Sequence, residues 1–194
     1  MLLIGFGHKA RQGKNTAAVA LLNAMPVDCR ARIYAYADAL RREVRNEITR
    51  YGSVAGLLMA SRYRADERRI PDWVIDEGGG KPRTLLQWWG TNYRRAQDPL
   101  YWVKRLQVTL DQEQPDAALI TDVRFPNEAD AIHERGGYVV KVTRTGKLDI
   151  DVHAHESEQA MDDYTGWDYE LTAATLPELR KKAADHYTKI ARRK

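Results

Sequence analysis

Cysteine is nearly absent: Cys29 is the only one in 194 residues, so no disulfide can close within the chain and no multi-thiolate metal site can form. A reducing cytoplasm suits that composition, and a cytoplasmic location is expected. No apolar run approaches the ~20 residues that a membrane helix requires, so no membrane span is expected. The opening Met1-Leu2-Leu3-Ile4-Gly5-Phe6-Gly7 is apolar but has no basic leader and is too short for a secretory signal. Internal repeats, low-complexity tracts and linkers between domains are missing as well. So is a strong excess of one charge: 31 basic residues against 27 acidic ones leave +4. Arginines are scattered through patterned segments, as at Arg11, Arg42, Arg83, Arg94, Arg124 and Arg144. Short dense runs include Arg41-Arg42, Arg68-Arg69, Arg94-Arg95, Lys181-Lys182 and the Arg192-Arg193-Lys194 tail, which reads as a solvated helix end. That scatter favours a site holding several phosphates over a nucleic-acid surface, and no nucleic-acid partner is expected.

What is present reads as one globular domain spanning 1–194, with 43% hydrophobic and 30% charged residues. Residues 2–6 form a short apolar run closed by Gly7, a buried strand. Thr16 to Met25 reads as a helix ending before Pro26. Ala31 to Ala37 alternates as a second strand, and Asp38 to Tyr51 as a charged helix. Residues 51–82 carry four arginines, Pro71 and Gly78-Gly79-Gly80, the marks of a mobile segment. Thr84 to Ala96 and Pro99 to Gln112 read as helices, the second with proline at its start. Ala117 to Thr121 is a strand ending at Asp122. Pro126 to Arg135 is a helix stopped by Gly136-Gly137, Tyr138 to Thr143 a strand, and Asp168 to Leu171 a weak last strand. Thr175 and Glu178 then form a capping box, and Leu176, Leu179, Ala183, Tyr187 and Ile190 one apolar stripe. Strands alternating with helices imply an α/β fold with a parallel sheet of about five strands, helices on both faces, and ligands at the carboxyl ends of the strands.

The segment Gly7-His8-Lys9-Ala10-Arg11-Gln12-Gly13-Lys14-Asn15-Thr16 lies between a strand and a helix, the setting of a phosphate loop. In such a loop backbone N–H groups and the helix N-terminus face the anion. Lys14 would sit against the β- and γ-phosphates, and Gly13 would let the backbone approach. The usual spacing, G-x-x-x-x-G-K-[ST], puts the first glycine where His8 stands, one residue after Gly7. Asn15 stands where a metal-binding Ser or Thr would stand, and Thr16 follows. This departure argues against a GTPase or motor ATPase.

Further motifs accompany the loop: Tyr36-Ala37-Asp38-Ala39-Leu40-Arg41, Leu85-Leu86-Gln87-Trp88-Trp89-Gly90-Thr91, Asp98-Pro99-Leu100-Tyr101-Trp102-Val103, Thr121-Asp122-Val123-Arg124-Phe125-Pro126-Asn127-Glu128, Gly136 to Arg144, and His155-Glu156-Ser157-Glu158. With them the chain resembles the deoxynucleoside monophosphate kinases of bacteriophages, a branch of the P-loop kinases. The resemblance covers nearly the whole chain, and the Asp-Val-Arg-Phe-Pro-Asn-Glu run is its most specific part. It implies a three-layer P-loop kinase fold with mobile lids, ATP with Mg²⁺, and a deoxynucleoside monophosphate as acceptor. Small-molecule nucleotides are then the partners, and a homodimer is allowed. The turn after the last strand departs from the pattern, with Thr172-Ala173-Ala174 where an asparagine is expected.

Phosphoryl transfer requires two anions brought together and their developing charge neutralised, so cations from several segments should converge on the loop. Gly7, Lys9, Arg11, Gly13, Lys14, Asn15 and Thr16 are the candidate ATP contacts. Lys14, Arg124, Arg144 and Asp122 are the candidate catalytic residues, and Thr16 and Asp122 the candidate metal ligands. Asp122 also suits a helix cap for the segment at Pro126, and Arg124 suits an ion pair with Asp122 or Glu128. On the acceptor side stand Asp38, Arg42, Arg83, Gln87, Trp88, Arg94 and Trp102. Asp38 could hold a sugar hydroxyl or cap its helix. A 3.6-residue period places Arg83, Gln87, Gly90 and Arg94 on one stripe, with Gln87 suited to a base edge and Arg94 to a phosphate. Trp88 and Trp102 could stack on the base or serve as core. Residues 51–82 would be an acceptor-side insertion and 144–156 a lid, His153 and His155 giving lid surface rather than metal ligands. Two alternatives stand beside this reading: a P-loop kinase for another small acceptor such as phosphomevalonate, and a nucleotide-binding regulatory or DNA-associated ATPase.

Overall fold

A computed structural model of the chain describes residues 1–62, 70–71, 82–145 and 159–191. The chain divides into two compact units, Met1–Tyr36 with Leu106–Lys194, and Ala37–Arg105 between them. The first is an α/β sandwich. Its sheet has five strands, β1 (Leu2–Gly7), β2 (Ala31–Tyr34), β3 (Ala117–Val123), β4 (Tyr138–Arg144) and β5 (Tyr169–Ala173), in the order β2-β3-β1-β4-β5. Every neighbouring pair is parallel. Parallel strands are buried on both faces, which is why β1 and β3 are near-continuous apolar runs in the sequence.

Alternation along β1 splits the interior. Ile4 and Phe6 share a core with Ala17, Ala18 and Leu21 of α1 (Lys14–Asn23), and with Leu179 and Ala183 of α7 (Leu176–Ala191). The alanines there let helix and sheet approach closely. On the other face Gly5 lies directly under the Ile132 side chain of α6 (Pro126–Glu134), leaving no room for a Cβ. These two faces make the three layers expected from the sequence, a fold consistent with the P-loop kinases.

Strand order carries the site. From β1 the chain goes to the β2 side of the sheet, whereas β4 leads away to β5. The direction reverses between β1 and β4, and the crevice at such a reversal opens at the carboxyl ends of the strands. The loop Gly7 to Gly13 leaves β1 at that end.

The second unit is helical. It holds most of α2 (Tyr36–Arg50), then α3 (Val54–Arg62), α4 (Pro82–Gln87), a π-helix (Trp88–Arg95) and the first turn of α5 (Tyr101–Glu113). Its core is aromatic: Trp88 stacks on Tyr93 with ring centres 5.5 Å apart, and Trp89 meets Tyr93 edge-on at the same spacing. No element was assigned to Val54–Arg62 from the sequence, and it is helical. Most of the remaining 51–82 segment, and nearly all of the 144–156 segment with its histidines, lies outside the described residues. Among the described residues no helix is long and apolar enough to cross a membrane.

Candidate active site

The candidate phosphate loop is built by left-handed backbone at three positions. Gly13, which precedes α1, has φ 96°, and its Cα packs against Leu179, with 2.6 Å from a built Cβ to that side chain. His8 has φ 88° and Arg11 φ 60°. His8 thus stands where the usual pattern has glycine, and holds a conformation that favours glycine. Strain of this kind persists only where surrounding structure enforces it, and it gathers at ligand sites. Gly7 is covered by the Trp167 ring, 2.7 Å from where a Cβ would lie.

Lys14 opens α1 and is only 8% exposed. Its ammonium donates to the carbonyls of His8 at 2.8 Å and Lys9 at 2.6 Å, so it spans the loop from its first turn. Lys9 and Arg11 are exposed, and Lys9 pairs with Asp162 at 3.2 Å. Asn15 is exposed and Thr16 half-buried on the first turn of α1. The His8 imidazole is held below its ordinary value by burial first, then by Lys141 and Lys9.

At the end of β4, the backbone N–H of Arg144 donates to Gln12 Oε1 at 2.6 Å. This bond ties the candidate phosphate loop to the neighbouring strand. Arg144 Nε, His8 Nδ1 and Trp167 Nε1 are buried with no hydrogen-bond partner among the described residues, all three on residues at or beside the loop. Buried orphans of this kind require an explanation, and an anionic ligand would supply acceptors for the Arg144 and Trp167 N–H groups.

Asp122 does not serve as the alternative cap at Pro126. Its Oδ1 accepts the backbone N–H of Tyr36 at 2.7 Å, so it anchors the start of α2, and α6 is capped by another acid. Glu128, only 3% exposed, accepts the N–H groups of Arg124 at 2.8 Å and Phe125 at 3.2 Å, with Pro126 in the first turn. Arg124 is half-buried at that turn. Asp38 is not the first residue of its helix, which begins at Tyr36. It lies exposed in the first turn, paired with Arg41 at 2.9 Å. Arg42 is exposed one turn on.

The stripe expected along 83–94 does not form as drawn. An α-helix gives way to a π-helix at Trp88, and its i→i+5 bonds widen the turn. Residues three and four apart then no longer stand one above another. Gly90 is buried against Leu40 of α2, 2.9 Å from a built Cβ, and its carbonyl accepts Trp102 Nε1–H at 3.0 Å. Trp88 and Trp102 are 5% and 4% exposed, packed as core. Gln87 is half-buried. The Arg83 side chain lies outside the described residues. Arg94 donates through Nε and Nη2 to Glu43 Oε1, which also takes Trp89 Nε1–H at 3.1 Å.

Three residues of these networks escaped sequence reading. Gln12 and Trp167 act through tertiary contacts that no local pattern announces. Glu43 did carry a signal, since Leu40-x-x-Glu43-Val44 sets an acid within the apolar face of α2.

No family model matches the chain. It is 28% identical over 180 residues to the "Putative deoxynucleotide monophosphate kinase" of Acanthamoeba polyphaga mimivirus, covering 81% of this chain and 82% of that protein. It is 41% identical over 71 residues to the "Deoxynucleoside-5'-monophosphate kinase" of Escherichia phage T5, covering 36% of this chain and 24% of the phage protein. The chain is similar to viral proteins named as deoxynucleoside monophosphate kinases. Their names match the group that its motifs resemble.

Proposed function

We propose that this protein transfers the γ-phosphate of ATP to a deoxynucleoside monophosphate, giving the diphosphate. The observation that carries the reading is the loop at the β1–β4 reversal, with Lys14 strung across its carbonyls and three buried polar atoms around it with no partner among the described residues. Similarity to two viral proteins with kinase names supports it.

ATP would be bound in the first unit, its phosphates on the loop N–H groups and the start of α1, with Gly7, Lys9, Arg11, Gly13, Asn15 and Thr16 around them. In the transfer, a bond from an acceptor phosphate oxygen to the γ-phosphorus forms while the bond to the β–γ bridging oxygen breaks. That oxygen leaves with ADP, and no side chain need take a proton from the acceptor oxygen, which is already ionised. The chain's work is electrostatic. Lys14 follows the charge on the transferring group, and Arg124 and Arg144 supply further donors. Thr16 and Asp122 are hard oxygen donors of the kind Mg²⁺ takes, alongside phosphates and water, and they would hold that ion, which neutralises phosphate charge. In the second unit Arg94 would take the acceptor phosphate. Asp38, Arg42, Arg83 and Gln87 are the remaining acceptor candidates, with Trp88 and Trp102 forming the wall behind them.

The test is a panel of dTMP, dGMP, dCMP, dAMP and dUMP with ATP and Mg²⁺, read by chromatography. At least one diphosphate should form. Phosphomevalonate and DNA belong in the same panel: turnover with only one of them, and with no monophosphate, would transfer the protein to one of the other readings.

A further inference from the structure

Glu43 is a carboxylate with an unusual concentration of donors. It lies on α2 within an apolar face, beside Leu40 and the buried Val44, and its side chain is 16% exposed. Oε1 accepts Arg94 Nε–H at 2.6 Å, Arg94 Nη2–H, and Trp89 Nε1–H at 3.1 Å. Oε2 accepts the Tyr101 hydroxyl at 3.0 Å. The donors come from the π-helix and from α5, so one acid joins three elements of the second unit.

Arg94 is held from other sides too. Its guanidinium carbon lies 4.9 Å from the Tyr93 ring centre and 4.8 Å from that of Tyr101. Burial weakens its charge, but the hydrogen bond and charge of Glu43 outweigh that and hold its proton above the ordinary range. A guanidinium has five N–H donors. Glu43 takes two of them, so the pair does not exhaust the fork, and the Arg94 side chain is 25% exposed. A solvated surface arginine would lose much rotamer entropy on gripping a ligand. This one is already fixed.

We propose that Glu43 is a positioning residue for acceptor recognition, its carboxylate fixing Arg94, with help from Tyr101 and Trp89, in the orientation in which the guanidinium takes the acceptor's phosphate. The proposal rests on the reading of Arg94 as an acceptor-phosphate ligand. Glu43 itself does not touch the acceptor. A carboxylate serving only as a packing knot would affect stability and leave substrate constants alone.

The experiment is steady-state kinetics on the full chain with the best monophosphate of the panel, using Arg94→Lys, Glu43→Gln and Tyr101→Phe, with thermal melting of each. Arg94→Lys keeps the charge and loses the fork. It should raise the KM for the monophosphate roughly tenfold or more, the scale of one charge-assisted hydrogen bond, and leave the KM for ATP within about twofold. Glu43→Gln should raise the monophosphate KM in the same direction, with kcat at saturation and the KM for ATP nearly unchanged. Tyr101→Phe frees one side of the carboxylate and should give a smaller rise of the same kind, and it tests the idea even should Glu43→Gln fold poorly. If Arg94→Lys moves the monophosphate KM while Glu43→Gln and Tyr101→Phe change only melting, Glu43 is structural and the proposal is overturned, with the acceptor reading intact. A lower KM in Glu43→Gln overturns it as well, because the carboxylate would then be competing with the acceptor. An unmoved KM in Arg94→Lys removes Arg94 from the acceptor site and the proposal with it, while the kinase activity stands.

Discussion

Lys14 is nearly buried, and its ammonium is held by carbonyls of the loop itself, so its removal should cost the chemistry more than the fold. Lys14→Ala is expected to lose ~10²–10³ in turnover, as for loss of one preorganised contact to a developing charge. A variant keeping half the turnover would exclude this loop as donor site. His8 gives a pH signature. Unfolded, it takes a proton near its ordinary 6.5; folded, burial and two lysines hold that value lower. The unfolded state therefore binds more protons as pH falls through that window, and stability drops with it. His8→Asn should lose less stability between about pH 7 and 5.5 than the parent, read from urea midpoints. Equal losses would remove His8 as the cause. Asp122 has one observed duty, holding the Tyr36 N–H, and one proposed duty, holding Mg²⁺, and variants can separate them. Asp122→Ala deprives the Tyr36 N–H of its acceptor and should cost about 1 kcal/mol. Asp122→Asn keeps an oxygen there and should hold stability while raising the Mg²⁺ concentration needed for half-maximal turnover. An unchanged Mg²⁺ requirement would leave Asp122 only as the anchor of α2.

The elements were legible to different degrees, for physical reasons. β1 and β3 stand out because interior parallel strands must be apolar on both faces. The start of α7 was legible in Thr175 and Glu178: Thr175 Oγ1 accepts the Glu178 N–H at 3.3 Å, and the Glu178 carboxylate reaches back to the Ala174 N–H at 2.8 Å. The π-helix was not legible, because an apolar pattern over eight residues cannot distinguish a 3.6-residue turn from a wider one. That ambiguity produced the stripe through Gly90. Its glycine does mark a close approach, as its cost in a helix suggested, and the approaching group is Leu40. Gly90→Ala therefore sets two effects against each other. Helix propensity gains roughly 1 kcal/mol, and overpacking against Leu40 costs about 1–3 kcal/mol. A net loss on the order of 1 kcal/mol is expected in denaturant melts, and a gain would show that Leu40 yields.

Over the whole molecule, the parallel order β2-β3-β1-β4-β5 puts the reversal beside β1, and the candidate phosphate loop was legible in the sequence at that place. The acceptor candidates were less legible. Asp38, Arg42 and Gln87 depend on which side of a helix is presented, and Glu43 and Gln12 depend on contacts between elements distant in sequence. The loop lies in one compact unit and the Glu43–Arg94 pair in the other, so under the proposed reading donor and acceptor would each be bound by their own residues. The most direct measurement is the formation of nucleoside diphosphate from ATP and each deoxynucleoside monophosphate in the presence of Mg²⁺, with Lys14→Ala as control. The account predicts diphosphate and ADP in equal amounts from at least one monophosphate, reduced ~10²-fold or more in the control. Folded protein that yields no diphosphate from any of the five would contradict it.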